Sequence, residues 1–344
     1  MFTDTYELAC FVPSRLDGRA LETLITLTSS RPYGSYRSTS GPNSTSSLGA
    51  SSSSSNSNST STPDSERAII FLHPYAPLGG QFRNNIIYEV NTRLGRRGSL
   101  SIAFNLRGAG RSEGRTSWTG LSEQEDLRSI LDMVKSQRLV LHDARHPPAE
   151  RRSLLLQMQA RGHIDAAVDI DQLDAVPLPR ITNTLLCGYS YGSMIAAAIG
   201  PAEYPQLGVD YVYISFPYSV IWALAMSKRS LYLQRIAETV SAAAAAFAAG
   251  AKGKHIARTL FVAGTSDTYT SISSYNKWWE QLAAKALQAV QAADDAVDAA
   301  DAKRAVGQAL TLVRAQNADH SWLRREGEVT DSIESWWWAR HQSP

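Results

Sequence analysis

A serine set between two glycines is the first feature of this sequence with the makings of a nucleophile. Gly188-Tyr189-Ser190-Tyr191-Gly192 follows the apolar run ITNTLLC and precedes the small-residue stretch SMIAAAIG. Between a strand and a helix such a pattern makes a sharp turn. The turn holds the serine hydroxyl out at the strand end, and the two glycines remove Cβ atoms that would strike neighbouring backbone. A serine hydroxyl at neutral pH attacks a carbonyl only when a base takes its proton and a carboxylate holds that base. On a strand–turn–helix site the partners follow in the order serine, acid, histidine. Asp267 follows the apolar run TLFVAGTS, and His320 follows LTLVRAQNAD shortly before a closing helical segment. Of seven histidines only His320 and His341 lie beyond Asp267, and His341 is in the terminal tail. Position therefore selects His320 as general base and Asp267 as the acid that orients it. Asp319 adjoins the histidine, but neighbouring side chains diverge, so it is not the orienting acid.

Attack on a carbonyl also needs two backbone N–H donors where the oxyanion forms. Tyr191, directly after the serine, is one. The other is expected from the loop HPYAPLGG (73–80), at Tyr75 or Ala76, with Gly79-Gly80 letting the loop fold back. Tyr75, Tyr189, Phe216 and Trp222 are candidates for the wall of a pocket taking an apolar acyl or aryl group. His73, at a His-Pro step, reads as a residue that shapes the loop. NLRGAGRSEG (105–114) reads as a structural turn in which Arg107 pairs across the loop. His142, His146 and His163, with Asp143 and Asp165, sit in a Pro-rich stretch without ligand spacing, so neither a metal nor another cofactor is expected. The pair Trp278-Trp279 and the run Trp336–Trp338 are expected to pack rather than to bind substrate.

Such residues need a frame. RAIIFLH (67–73), 100–106, 181–187, 210–215, 258–264 and 308–316 are short apolar runs of the kind buried parallel strands need. Segments with helical spacing follow most of them: FRNNIIYEVNTRLGRRG, 121–139, 191–200, 272–284 and a closing helix around 328–339. This alternation predicts an α/β chain with a mainly parallel sheet and helices on both faces. Residues 3–12 and 19–28 predict an opening hairpin. Ser-rich residues 29–66 are too poor in apolar side chains to offset their ordering entropy and are expected to be a disordered loop. Three stretches interrupt the rhythm: 143–180, expected as a surface insertion; 219–256, a candidate lid; and 285–305, an Ala-rich helical insertion.

Length and composition fit a single domain over 1–344. A net charge of +2 on 344 residues gives no overall field calling for nucleic acid or an anionic membrane. No apolar stretch resembles a secretory h-region or a transmembrane span, and Cys10 and Cys187 are too few for a disulfide framework. A cytoplasmic protein acting on a small-molecule or acyl substrate is expected, its oligomeric state left open.

Five segments in order, His-Pro-x-x-x-x-Gly-Gly (73–80), Arg-Gly-x-Gly-x-Ser (107–112), Gly-Tyr-Ser-Tyr-Gly (188–192), Gly-Thr-x-Asp (264–267) and Ala-Asp-His (318–320), resemble the α/β-hydrolase superfamily. The likeness spans roughly 67–340 and is greatest to small cytosolic serine hydrolases near the dienelactone-hydrolase and esterase branches. It implies the α/β-hydrolase fold with an eight-stranded sheet, a Ser190–His320–Asp267 triad, and activity on esters, thioesters or amides. Asn105 stands where many relatives carry an acid, and the Ser-rich loop and Ala-rich inserts have no counterpart in compact members. A carboxylic-ester or thioester hydrolase is the leading expectation. The alternatives are a peptidase or acyl transferase with the same triad, or a non-catalytic binding module.

Overall fold

The computed structural model describes residues 4–29, 67–97, 100–251 and 255–338. All of the Ser-rich stretch except Ser29 therefore lies outside the described residues. Two antiparallel strands open the chain, β1 (Asp4–Pro13) and β2 (Ala20–Ser29), paired from Asp4–Ser29 to Pro13–Ala20. Next come β3 (Arg67–Leu72), α1 (Asn85–Leu94), β4 (Leu100–Phe104) and α2 (Leu121–Ser136). A two-stranded ribbon of β5 (Arg138–Leu139) and β6 (Val176–Pro177) encloses α3 (Pro148–Ala160). The alternation resumes with β7 (Asn183–Tyr189), α4 (Tyr191–Ala197), β8 (Val209–Ile214), α5 (Ile221–Ala225), α6 (Arg229–Ala248) and β9 (Thr259–Gly264). Last are α7 (Ile272–Ala293), α8 (Ala299–Ala309), β10 (Leu310–Ala315) and α9 (Glu326–Trp338).

Eight strands form one sheet in the order β1-β2-β4-β3-β7-β8-β9-β10. Only the β1–β2 and β2–β4 pairings are antiparallel. Every residue of β3, β4, β8 and β9 is buried, which is why these strands read as unbroken apolar runs. Alternate side chains feed two cores. Ile70, Leu72, Leu186 and Phe261 pack with α2, α4, α6 and α7, whereas Ile69, Phe71, Cys187 and Val262 pack with α1 and α9. The Trp337 indole lies in the second core and donates to Asp210 at 3.2 Å. Both thiols, Cys10 on β1 and Cys187 on β7, are buried and unbridged. Burial pushes the Cys10 thiol up to about 12 and raises Cys187 further.

The three interrupting stretches join this frame in different ways. Residues 142–146 run beside the edge strand β1: the His142 N–H donates to the Phe11 carbonyl (2.8 Å), and the Phe11 N–H donates to His146 Nε2 (2.9 Å). Edge backbone groups that would otherwise face solvent are satisfied there. Most of 219–256 is α6, which buries Tyr232, Ile236, Val240 and Ala244 in the helical layer beside α7 and α8. The stretch 285–305, read above as one helix, is shared between two. Its first part prolongs α7 to Ala293, burying Ala286 and Val290, and after a turn Asp298 caps α8 by accepting from the N–H groups of Ala300 (2.7 Å) and Asp301 (2.9 Å). Among the described residues no helix is long and apolar enough to cross a membrane.

Candidate active site

β7 delivers Ser190 to the carboxyl edge of the sheet in a conformation few residues adopt, φ 53° and ψ −116°. Such a backbone costs about 1–3 kcal/mol and persists only where its surroundings impose it. Here the Ser190 N–H donates to the Ile214 carbonyl of β8 (2.8 Å), and its own carbonyl accepts from the Ser193 N–H (3.0 Å) and hydroxyl (2.5 Å). The flanking glycines are sterically required. A Cβ on Gly192 would lie 2.2 Å from the Leu72 carbonyl oxygen, and one on Gly188 would lie 2.5 Å from the Gly192 oxygen. The Ser190 turn thus presses directly against the end of β3.

Two loops bring the partners to it. The His320 Nε2 atom is 2.9 Å from Ser190 Oγ, and Nδ1 is 2.7 Å from Asp267 Oδ2. A carboxylate only accepts, so Nδ1 carries the proton and the Nε2 lone pair faces the serine hydroxyl. Asp267 is turned by its other oxygen, which accepts from the N–H groups of Tyr269 (2.8 Å) and Thr270 (3.1 Å). The acid and histidine loops are tied together: the Ser266 N–H donates to the Ala318 carbonyl (2.9 Å), and the Asn317 N–H to Thr265 Oγ1 (2.8 Å). Tyr189 joins the histidine loop to the nucleophile strand, its hydroxyl donating to the His320 carbonyl at 2.5 Å. Burial, then the nearby Asp267 charge, raises the Tyr189 phenol well above its usual range, so it remains a donor. The Tyr269 ring covers the imidazole with centroids 4.5 Å apart. Asp319 turns away, accepting from the N–H groups of Ser321 (3.0 Å) and Trp322 (2.9 Å).

The loop between β3 and α1 faces this triad. It makes one helical turn at Ala76–Leu78 and folds back through Gly79, at φ 87°, until the Gly80 N–H meets the Tyr75 carbonyl at 3.1 Å. His73 anchors it from beneath. Fully buried, it donates from Nδ1 to the Pro74 carbonyl (2.6 Å) and accepts at Nε2 from the Leu106 N–H (3.0 Å). Burial lowers its pKa to about 4, which keeps the imidazole neutral, as that donor–acceptor pattern requires. Among the described residues the N–H groups of Tyr75, Ala76 and Tyr191 donate to no protein group.

An open cleft of about 370 Å³ lies over Ser190 and His320, walled by Tyr75, Leu78, Tyr189, Val220, Leu224 and Tyr269. Ser190, His320, Tyr75 and Tyr189 meet there, with Asp267 behind the histidine. Phe216 and Trp222, proposed above as walls, lie elsewhere. The chain turns at Ser215, with φ 46°, and sends Phe216 into the core, fully buried and stacked on Trp278 at 5.1 Å. Trp222 stands 63% exposed on α5, outside the cleft. Leu78, Val220, Leu224 and Tyr269 escaped the sequence reading. Tyr269, two residues past the acid, carried a usable signal, because the loop holding the acid must face the nucleophile. Among the described residues no group of three or more His, Cys, Asp or Glu side chains could hold a metal ion.

These features define the α/β-hydrolase fold, with the serine turn at the end of the fifth strand of the sheet order and the acid and histidine after two later strands. A solved protein of unknown function from Agrobacterium tumefaciens, described as an α/β hydrolase, superposes with a TM-score of 0.50 at 16% identity, covering 97% of this chain and 96% of its own. An α/β serine hydrolase from Xanthomonas campestris, described as lacking a lid, is similar at 14% identity and a TM-score of 0.49 over 100% of this chain and 98% of its own. Est1E from Butyrivibrio proteoclasticus, solved with ferulic acid bound, has 11% identity and a TM-score of 0.49 over 95% and 97%. At such identities the likeness is one of fold. No family model matches the chain, and no curated protein matches it.

Proposed function

We propose that this chain is a serine hydrolase cleaving carboxylic esters or thioesters through an acyl-enzyme on Ser190. The observation that carries the reading is the hydrogen-bonded line Asp267–His320–Ser190, with links of 2.7 and 2.9 Å, ending in an open cleft. Ser190 Oγ attacks the substrate carbonyl carbon as its proton passes to His320 Nε2, and Asp267 holds the imidazolium that forms. The oxyanion is received by the N–H groups of Tyr191 and Tyr75. Tyr75 is preferred to Ala76 because it lines the cleft and Ala76 does not. Collapse breaks the bond to the alcohol or thiol, which leaves with the proton from His320. Water then gives a proton to the same nitrogen and attacks the acyl group, and Ser190 recovers its proton as the acid departs. Tyr75, Tyr189, Val220 and Leu224 form the surface against which an apolar acyl or aryl group rests.

A fluorophosphonate probe tests this directly. Wild-type protein is expected to be labelled and to hydrolyse p-nitrophenyl esters, and Ser190→Ala to do neither. Equal labelling of the two proteins would overturn the reading.

A further inference from the structure

Eleven large apolar side chains are exposed among the described residues, and they are unevenly placed. Leu78 follows β3, Trp118 follows β4, Trp222 and Met226 follow β8, Tyr269 follows β9 and Leu323 follows β10, each between 45% and 73% exposed. Because these five strands are parallel, all six side chains leave the sheet at the carboxyl edge, where Ser190 opens. Two of them meet in the cleft, and chain neighbours tie others to it. Leu78 and Tyr269 line the cleft itself, and so does Leu224, lying between Trp222 and Met226 in the chain. The loop bearing Trp118 is bound to the start of α6 by the Tyr232 hydroxyl, which donates to the Thr119 carbonyl at 2.7 Å. Isolated exposed apolar residues are ordinary, but a ring of them around one cleft is not.

Cations accompany the ring. Arg115 precedes Trp118 by three residues, Lys228 follows Met226 by two, and Arg324 follows Leu323 directly. All three are exposed, and none forms a salt bridge among the described residues. The exposed carboxylate on this side, Asp319, is engaged by its own turn. Tryptophan and leucine beside unpaired arginine and lysine suit a boundary where acyl chains meet anionic headgroups: the apolar groups enter the chain region and the cations meet phosphate.

We propose that this edge docks on an anionic lipid surface, presenting the cleft to esters carried at a lipid–water interface. The docking stands on the surface alone, and only the fate of the ester rests on the hydrolase reading. Flotation with vesicles of phosphatidylcholine containing about one-third phosphatidylglycerol tests it, using the full chain carrying Ser190→Ala so that catalysis has no part. The protein is expected to float with these vesicles and to partition at least about tenfold less after Trp118→Ser with Met226→Ser, or after Arg115→Glu with Lys228→Glu. Each double variant, made with Ser190 intact, is expected to keep its turnover of a soluble p-nitrophenyl ester, which shows that the fold survives. Failure of the parent protein to float, or equal flotation of the variants, overturns the proposal. So does gel filtration that finds a dimer dispersed by Trp118→Ser with no vesicle binding, which would make the edge a self-association surface. If flotation fails and fluorophosphonate labelling succeeds, the docking is wrong and the chemistry stands.

Discussion

His320 is held at three points with distinct consequences: Asp267 fixes which ring nitrogen carries the proton, Tyr189 fixes the backbone, and Tyr269 covers the ring face. Replacing the carboxylate by its amide tests the first without disturbing packing. An amide nitrogen in place of the Asp267 carboxylate oxygen can donate to Nδ1, which favours the tautomer whose Nε2 carries a proton and cannot accept one from Ser190. Asp267→Asn is therefore expected to lower kcat for a soluble ester by roughly 10³–10⁴-fold with KM little changed. A loss shared equally between kcat and KM, or no loss, would remove Asp267 from the role assigned to it. Asp319 is the built-in comparison. One position away from the histidine and also a carboxylate, it serves its own turn, so Asp319→Asn is not expected to imitate that loss.

The loop between β3 and α1 carries the Tyr75 N–H proposed above as an oxyanion donor and rests on a neutral histidine beneath it. Burial lowers His73 to about 4, against an ordinary value near 6.5. Between those values the unfolded chain binds a proton that the folded chain refuses. Stability is complete above about pH 6.5 and falls as pH drops toward 4, by up to about 3 kcal/mol. Buried Glu123, raised above its usual value chiefly by desolvation, acts in the opposite sense, so the measurement is comparative. Urea midpoints at pH 7 and pH 4.5 are expected to fall further apart in wild type than in His73→Asn. How legible an element was in the sequence followed from how local its cause is. β3, β8 and β9 announced themselves because burial on both faces demands mainly apolar runs, whereas the polar residues of LETLITLT gave no sign that Glu22, Thr23, Thr26 and Thr28 are buried beside Ile25 and Leu27. The break between α7 and α8 stayed hidden, since Ala-rich sequence continues across it and three aspartates, Asp294, Asp295 and Asp298, are its only mark. That Ser190, Asp267 and His320 meet was readable from chain order. The cleft wall was not, because Leu78, Val220 and Tyr269 come from three separate loops and the direction of Phe216 is set by a turn at Ser215 that no residue type announces.

Across the whole molecule, the antiparallel hairpin is locked to the parallel sheet by one buried charge network. Arg107, in the turn after β4, donates to both oxygens of Asp126 on α2 (2.6 and 2.9 Å), to Asp17 (3.2 Å) and to Ser14 (3.1 Å) in the hairpin turn. The Arg107 and Asp126 side chains are only 4% and 0% exposed, so removing the acid strands a buried guanidinium. Asp126→Ala is expected to cost about 3–5 kcal/mol in urea unfolding, against about 0–1 kcal/mol for breaking the exposed Arg325–Glu328 pair. A cost for Asp126→Ala as small as that of the surface pair would mean that the β2–β4 ladder and the hairpin's other contacts hold it without this network. The two covered thiols have a use in this connection. Alkylating reagents attack thiolates, and neither Cys10 nor Cys187 offers one while the strands are closed. The native protein is therefore silent to such reagents, and each cysteine becomes a clock for the opening of its own strand. Cys10, on the edge strand, times the peeling of the hairpin, and Cys187, three residues before Ser190 in the centre of the sheet, times the opening of the frame that holds the nucleophile.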